Sequence, residues 1–140
     1  MKHNGEIIII EDDRDDREFL QEILESLRVS NKIVFFEDPT EVLSYITQQS
    51  VVPFMVLSDI NMPKLNGFEL RSLIMEQKDL YDKCIPYIFL STSDNPENIH
   101  KAYRSYAHGY FKKESNFKNY QSLMRNIIEY WKSSTIPSVR

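Results

Sequence analysis

The sequence has a single cysteine, Cys84, and three glycines in 140 residues. One thiol can neither form an intrachain disulfide nor supply the cysteine pairs of a zinc site, so both kinds of scaffold are excluded. The loops expected after the strands also lack the glycine-rich or serine- and threonine-rich phosphate cradle of a flavin-type binding module. The chemistry of this chain must therefore come from other side chains.

The sequence also lacks a large excess of one charge over the other and has no long apolar run. Lys and Arg number 17 against 21 Asp and Glu, which gives a net charge of −4 and no basic excess of the kind that attracts nucleic acid. The N-terminus carries no apolar signal segment, and every apolar stretch is shorter than the ~20 residues that span a bilayer. We expect a soluble cytoplasmic protein that neither binds nucleic acid nor inserts into a membrane.

The sequence does contain five short apolar runs rich in Ile, Val and Phe, which begin near residues 6, 32, 54, 86 and 109. They are continuous rather than alternating, which is typical of strands covered on both faces in a parallel sheet flanked by helices. The segments between them show helical periodicity. The pattern predicts an α/β fold of five strand and helix units in one domain over residues 6–132, with short tails at 1–5 and 133–140 and no attached output domain.

Apolar spacing predicts five helices, the first over about residues 14–27. The last has an apolar stripe over residues 120–131, which is interpreted as a core face, with a dimer face as the alternative. The polar stretch 79–84 is expected to be a surface loop. A cap and first-turn signal at residues 95–96 marks the fourth helix, whose thin apolar face makes it the expected mobile element. Its inward side is expected to consist of Ile99, Ala102, Tyr103 and Tyr106.

A lone carboxylate, Asp59, ends the apolar run 54–58, where a buried strand gives way to a loop. In open parallel sheets, ligands and reacting groups gather outside the carboxyl ends of the strands, and here an anionic nucleophile is delivered to that edge. Three other runs end in polar groups at the same edge, namely residues 11–13, 91–92 and 112–113. We expect four strand ends to form one site.

The acidic residues Glu11, Asp12 and Asp13 follow the first strand and would stand beside Asp59. Such carboxylates repel one another, and a hard divalent ion relieves the repulsion. Mg²⁺ is the economical choice, because it prefers oxygen ligands and needs one or two carboxylates. The alternative is that residues 11–13 merely place negative charge at the start of the first helix, where the helix dipole favours it. Their coincidence with Asp59 favours the metal site.

A hydroxyl and two lysines complete this edge. Lys112 and Lys113 cannot both reach the site, because successive strand side chains point to opposite faces, and the pattern leaves open which one does. An ammonium group there could neutralise an anionic group bound at Asp59. Ser91 could donate to a phosphoryl oxygen, although a serine at a strand end most often satisfies a local backbone group.

Together these residues resemble the receiver domain of the two-component response regulator family. The resemblance covers about residues 6–132. It rests on the acidic pair after the first strand, an Asp-x-x-Met-Pro-x-x-x-Gly loop that begins at Asp59, Ser91 after the fourth strand and Lys113 after the fifth. It implies a three-layer, doubly wound (βα)5 flavodoxin-like fold with a parallel sheet of strand order 2-1-3-4-5.

The resemblance also implies an activity. Asp59 would be the phosphoacceptor, which takes a phosphoryl group from a phosphohistidine on a sensor histidine kinase or a histidine phosphotransfer protein. Mg²⁺ would be required and would be bound by Asp12, by Asp59 and by the backbone carbonyl of Asn61, with Glu11 acting mainly through water.

The remaining roles concern the phosphorylated state. Ser91 would hydrogen-bond the phosphoryl group, and Lys113 would pair with it. Tyr110 occupies the family's switch position and would turn into the space that Ser91 vacates, which would change the surface of the fourth helix, fifth strand and fifth helix. That surface would bind a downstream protein target and is a candidate homodimer interface. The alternative is that Tyr110 is only a packing residue. Asn61 and Ser93 match positions that tune loss of the phosphoryl group.

The chain departs from the family at Glu114. Family members usually have a proline directly after the lysine, and the peptide bond before that proline is often cis. A non-proline cis bond would cost about 3 kcal/mol, so we expect a trans bond or a shifted loop. The expected function is a stand-alone phosphoacceptor switch, not an enzyme beyond its own phosphorylation and dephosphorylation. The alternative is a pseudo-receiver that binds partners without turning over phosphate. A phosphatase is disfavoured, because Asn61 stands where a second acid would follow Asp59.

Overall fold

The structure is a computed structural model that describes residues 2–137. Its strands are β1 (Glu6–Ile10), β2 (Ile33–Phe36), β3 (Pro53–Ser58), β4 (Tyr87–Ser91) and β5 (Gly109–Lys112). Its α-helices are α1 (Arg14–Ser26), α2 (Val42–Ile46), α3 (Gly67–Glu76), α4 (Lys78–Lys83), α5 (Pro96–Arg104) and α6 (Phe117–Ser133). Short 3-10 turns lie at Lys2–Asn4 and Pro39–Glu41.

The strands form one parallel sheet in the order β2-β1-β3-β4-β5. Along β1, Ile8 and Ile10 face the core on one side, and Ile7 and Ile9 face the core on the other. Helices α2 to α5 cover the first side, and α1 and α6 cover the second. The α/β class, the three layers and the strand order predicted from the sequence are therefore confirmed.

Most of the predicted helices are also confirmed. Helix α1 has the expected extent, and the apolar stripe of α6 packs into the core, with Tyr120, Met124, Ile127 and Ile128 all buried. The stripe is therefore a core face. Within residues 2–137, no helix has the length and apolar character needed to cross a membrane.

The surface loop predicted over residues 79–84 is wrong, since Lys78–Lys83 form helix α4. One residue in this polar stretch, Leu80, is 2% exposed and packs into the core. Cys84 ends the helix with a left-handed backbone, φ 53°. Because Leu80 is the one buried residue of α4, the sequence shows no apolar stripe there.

The inward face predicted for α5 is only partly correct. Ala102 is buried, but Tyr103 is 54% exposed, and Tyr106 is 71% exposed beyond the end of the helix. Tyr106 has a φ of 60°, so the chain turns after α5 and does not continue the helical spacing on which the prediction relied. The expected mobility of this helix stays a prediction.

Gly67, the first residue of α3, lies directly against the loop that carries Asp59. Its N–H donates to the carbonyl of Ile60 at 2.8 Å. A Cβ at this position would lie 2.3 Å from the backbone oxygen of Asp59 and 3.0 Å from the Cα of Ile60. Glycine therefore permits the close approach of the helix start to the loop after β3.

We predict that Gly67→Ala destabilises the fold by about 2–3 kcal/mol, because the new methyl group meets backbone atoms that cannot rotate away. Gly109→Ala is the matched control. Its Cβ would meet the ring of Phe111 at 2.9 Å, and a side-chain ring can move, so a loss below about 1 kcal/mol is expected. Urea unfolding followed by circular dichroism measures both. Equal losses in the two variants would contradict the proposed close approach.

Candidate functional site

The ends of β1, β3, β4 and β5 lie at one edge of the sheet. Backbone hydrogen bonds continue past the strands: the N–H of Asp59 donates to Ile10 at 3.0 Å, and the N–H of Lys113 donates to Ser91 at 2.7 Å. The residues that follow β1, β3 and β5 are thereby held in register beside one another. This arrangement brings side chains from distant parts of the sequence into one cleft.

Three carboxylates meet in this cleft. Glu11, Asp12 and Asp59 each place one oxygen within 4.8 Å of the other two. The side chain of Glu11 is 5% exposed and that of Asp59 is 13% exposed. The backbone N–H of Ile60 donates to Oδ1 of Asp59 at 2.7 Å, which orients the carboxylate. Oxygen donors at this spacing are the ligands that hard divalent cations prefer, so these residues fit such an ion.

The ammonium group of Lys113 lies among these acids. Its Nζ donates to Oε1 of Glu11, to Oδ2 of Asp16 at 3.0 Å and to Oδ2 of Asp59 at 3.2 Å. Lys112 points away and forms a surface ion pair with Asp94 at 3.7 Å. The structure thus places at the acidic cluster the lysine that the family resemblance favours, Lys113.

The residue after the lysine does not disturb this reach. Glu114 is exposed, and no peptide bond within residues 2–137 is cis, so the bond between Lys113 and Glu114 is trans, as expected. The departure from the usual family proline therefore leaves the ammonium group at the site.

The electrostatics of the cleft are unbalanced toward negative charge. Burial raises the pKa of Glu11 to about 7, against the hydrogen bond from Lys113, and the charge of Asp59 adds to the rise. Burial alone would lower the pKa of Lys113, but the hydrogen bond to Glu11 and the charge of Asp59 outweigh it and raise that pKa. The ammonium group of Lys113 therefore contacts three carboxylates, those of Glu11, Asp16 and Asp59, and Asp12 lies beside them, so a further cation would be attracted.

The other predicted site residues lie around this cluster. Ser91 is 1% exposed, and its Oγ accepts a hydrogen bond from the N–H of Ser93 at 3.1 Å. Tyr110 is half-buried, and its hydroxyl donates to the carbonyl of Ser93 at 2.6 Å. Asn61 is exposed in the loop after Asp59. Ser91 and Tyr110 are thus joined to each other through the loop after β4, rather than to the carboxylates.

Sequence reasoning missed two residues of the site, Asp16 and Arg17. Asp16 contributes the third carboxylate bound to Lys113, and Nη1 of Arg17 donates to the backbone carbonyls of Glu11 and Asp12, each at 3.1 Å. Asp16 lies in the first turn of α1, three residues after the N-cap Asp13. That position was the available signal, because the first turn of the helix that follows β1 lies at the same edge of the sheet as the ends of the strands.

Comparison with known proteins agrees with this geometry. A family model described as the response regulator receiver domain matches residues 7–125. The response regulator Rcp1 of Synechocystis sp. is 28% identical over 138 residues, which cover 94% of this chain and 92% of that protein.

Two solved structures are similar over 96% of this chain and 99% of their own. The phosphorylated cyanobacterial phytochrome response regulator RcpA has 30% sequence identity and a TM-score of 0.84, and the Mn²⁺-bound form of Rcp1 has 26% and 0.81. Since the family model spans most of the chain and the sheet order and acidic edge agree with it, this protein belongs to the response regulator receiver domain family.

Proposed function

We propose that this chain is a Mg²⁺-dependent phosphoacceptor that receives a phosphoryl group on Asp59 from a sensor histidine kinase or a histidine phosphotransfer protein. The observation that carries the proposal is the position of the Asp59 carboxylate, which is held by Lys113 beside two further acids. Phosphoryl transfer needs positioning and charge neutralisation more than covalent help from the protein. The phosphorylated state of RcpA and the Mn²⁺-bound form of Rcp1 support both parts of the proposal.

The metal site would be formed by Asp12, Asp59 and the backbone carbonyl of Asn61, with Glu11 acting mainly through water. Glu11 is the most buried acid of the cluster and already accepts hydrogen bonds from Lys113 and from the N–H of Asp13. Those contacts suit a supporting ligand better than a direct one. When bound, Mg²⁺ would neutralise negative charge on the phosphoryl oxygens.

In the transfer step, a carboxylate oxygen of Asp59 attacks phosphorus, the bond from phosphorus to the donor imidazole breaks, and an aspartyl phosphate forms. Lys113 then pairs with a phosphoryl oxygen. Its Nζ is in position to do so, because it already lies within hydrogen-bond distance of Oδ2 of Asp59. The Ser91 oxygen accepts from Ser93, so its own hydroxyl hydrogen is left to donate to the phosphoryl group. No separate general base is required, because a carboxylate nucleophile attacks through an oxygen lone pair and has no proton to lose.

A switch follows from the contacts of the loop after β4. Movement of Ser91 toward the phosphoryl group would pull on Ser93, whose carbonyl holds the Tyr110 hydroxyl. Helix α5 begins three residues after Ser93 and has one buried residue, Ala102. The conformation of the surface formed by α5, β5 and α6 would therefore change. We propose that this surface binds a downstream protein target and forms a homodimer interface.

The chain would act as a signalling switch rather than as an enzyme on a separate substrate. It would work in the cytoplasm, where a histidine kinase offers its phosphohistidine. Asn61 and Ser93 would tune the lifetime of the phosphoryl group.

The acceptor is tested with acetyl phosphate and Mg²⁺ by intact-mass measurement. Wild type is expected to gain one phosphoryl group, and Asp59→Asn is expected to gain none, because the neutral amide lacks the anionic oxygen that attacks phosphorus. Asp82→Asn, an exposed acid paired with Lys78, is the matched control and should be labelled like wild type. Labelling of Asp59→Asn would refute the assignment. A folded wild type that is never labelled, even by a histidine kinase, would favour a pseudo-receiver.

The metal site is tested by calorimetric titration with Mg²⁺. Asp12→Asn should weaken binding by about tenfold or more, because one charged oxygen ligand is lost. Asp15→Asn changes the charge by the same amount at an exposed position on α1 and should weaken it far less. If the two variants bind Mg²⁺ equally well, the ion does not use the acidic cluster.

The role of Lys113 as the shared cation is tested by unfolding in the presence of a chelator. Lys113→Met should lose about 3 kcal/mol of stability, because buried acids are left without their partner. Saturating Mg²⁺ should restore much of the loss by replacing the missing positive charge. Lys112→Met removes the neighbouring exposed lysine and should change stability by less than about 0.5 kcal/mol. A loss that Mg²⁺ does not reduce would speak against charge neutralisation.

A further inference from the structure

A cavity of about 340 Å³ lies where β4 and β5 begin, at the opposite end of the sheet from the acidic cluster. It opens between α3, α4 and the turn that leads into β5. No residue of its lining takes part in the cluster around Asp59. This cavity is therefore separate from the proposed phosphoacceptor site.

The walls of the cavity are mainly apolar. Ile74, Leu80 and Tyr87 form buried parts of the lining, while Tyr81 and Tyr106 are 59% and 71% exposed at its rim. Its volume falls within the range of about 300–1,000 Å³ that is typical of small-molecule sites. The cavity thus offers apolar contact area and an accessible aromatic rim.

One wall carries a buried cation. Arg71 is 8% exposed and lines the cavity, and its guanidinium lies over the ring of Tyr87 at 4.9 Å. Its Nε donates to the carbonyl of Ser105 and its Nη2 to the carbonyl of Tyr106, both at 3.0 Å. These contacts fix the guanidinium in place but do not neutralise its charge.

The charge of Arg71 has no acidic partner within residues 2–137, where no carboxylate oxygen lies within 4 Å of the guanidinium. Its Nη1 group also has no hydrogen-bond acceptor in the same part of the chain. Burial lowers the pKa of Arg71, as expected for a cation without a counter-ion. A buried positive charge is costly unless it is paired, so an anion in the cavity would supply what the protein lacks.

The ring of His108 forms another part of the lining. Its Nδ1 accepts a hydrogen bond from the N–H of Tyr87 at 3.0 Å, and the ring packs edge-on against Trp131, which holds it in the wall. The cavity therefore combines an apolar body with a fixed guanidinium.

We propose that this cavity binds a small amphipathic carboxylate, with its apolar or aromatic body against the walls and its carboxylate at Arg71. A single buried guanidinium with one unoccupied N–H₂ group suits one carboxylate better than the dispersed charge of a protein surface. A ligand bound to Arg71 would also affect the turn at Ser105 and Tyr106, because the guanidinium hydrogen-bonds this turn. The turn leads into β5. The proposal does not depend on the chemistry of Asp59.

The test uses a matched pair of probes, 4-phenylbutanoate and its neutral amide, 4-phenylbutanamide. Each is titrated into the folded protein and followed by two-dimensional NMR of the backbone amides. The carboxylate is expected to bind about tenfold more tightly than the amide. The shifts should be centred on residues that line the cavity, with none centred on the acidic cluster.

Two variants test separately the charge of Arg71 and the free volume of the cavity. Arg71→Met should bring the affinity for the carboxylate down to that for the amide, whereas Arg28→Met, which removes an exposed arginine elsewhere, should leave both affinities unchanged. Because Arg71 also holds a turn, Met75→Trp serves as a second variant, which should abolish binding by filling the cavity while keeping the guanidinium.

Three results of the probe titrations would overturn the proposal. These are equal affinities of the two probes for wild type, shifts centred away from the cavity, and carboxylate binding that persists in Met75→Trp. A concentration-dependent dimer that excludes the probe would also overturn it and assign the cavity to a second copy of the chain. Sedimentation at several protein concentrations detects that case.

Discussion

The ammonium group of Lys113 connects parts of the chain that are far apart in sequence. It binds Glu11 after β1, Asp16 on α1 and Asp59 after β3, while its own backbone continues the pairing of β5 with β4. Without this cation, the acids at the edge of the sheet would repel one another at short range. With it, they still carry more negative than positive charge. Lys113 is therefore the residue that joins the acids after β1, on α1 and after β3, and the remaining negative charge favours a divalent cation.

The two ends of the sheet have different chemical character. Acids, a lysine and hydroxyl groups collect where the strands end, and an apolar cavity with a buried guanidinium lies where β4 and β5 begin. Strand β5 spans both, because the turn held by Arg71 precedes it and Lys113 follows it. Both ends of the sheet therefore border the same edge strand, which also carries Tyr110.

Much of the fold was predictable because its signals are local. Continuous apolar runs mark buried parallel strands, and a cap followed by proline marks a helix start. Helix α4 was not predictable in this way, since Leu80 is its one buried residue and no apolar stripe marks it. The outward positions of Tyr103 and Tyr106 were missed for a related reason. Their spacing suits a helix face, but the chain turns at Tyr106 and presents both rings to solvent.

The sequence by itself determined the class of fold and the set of polar groups at the ends of the strands, because strand length, apolar character and the residue after each strand are properties of short segments. The apolar pattern left Lys112 and Lys113 equal and the family resemblance favoured Lys113, which the structure places among the acids. Only the tertiary structure decided that Asp16 joins these acids and that Arg71 faces a cavity with no acidic partner among residues 2–137. These outcomes depend on the distance and rotation between elements packed from distant parts of the chain, which no local pattern specifies.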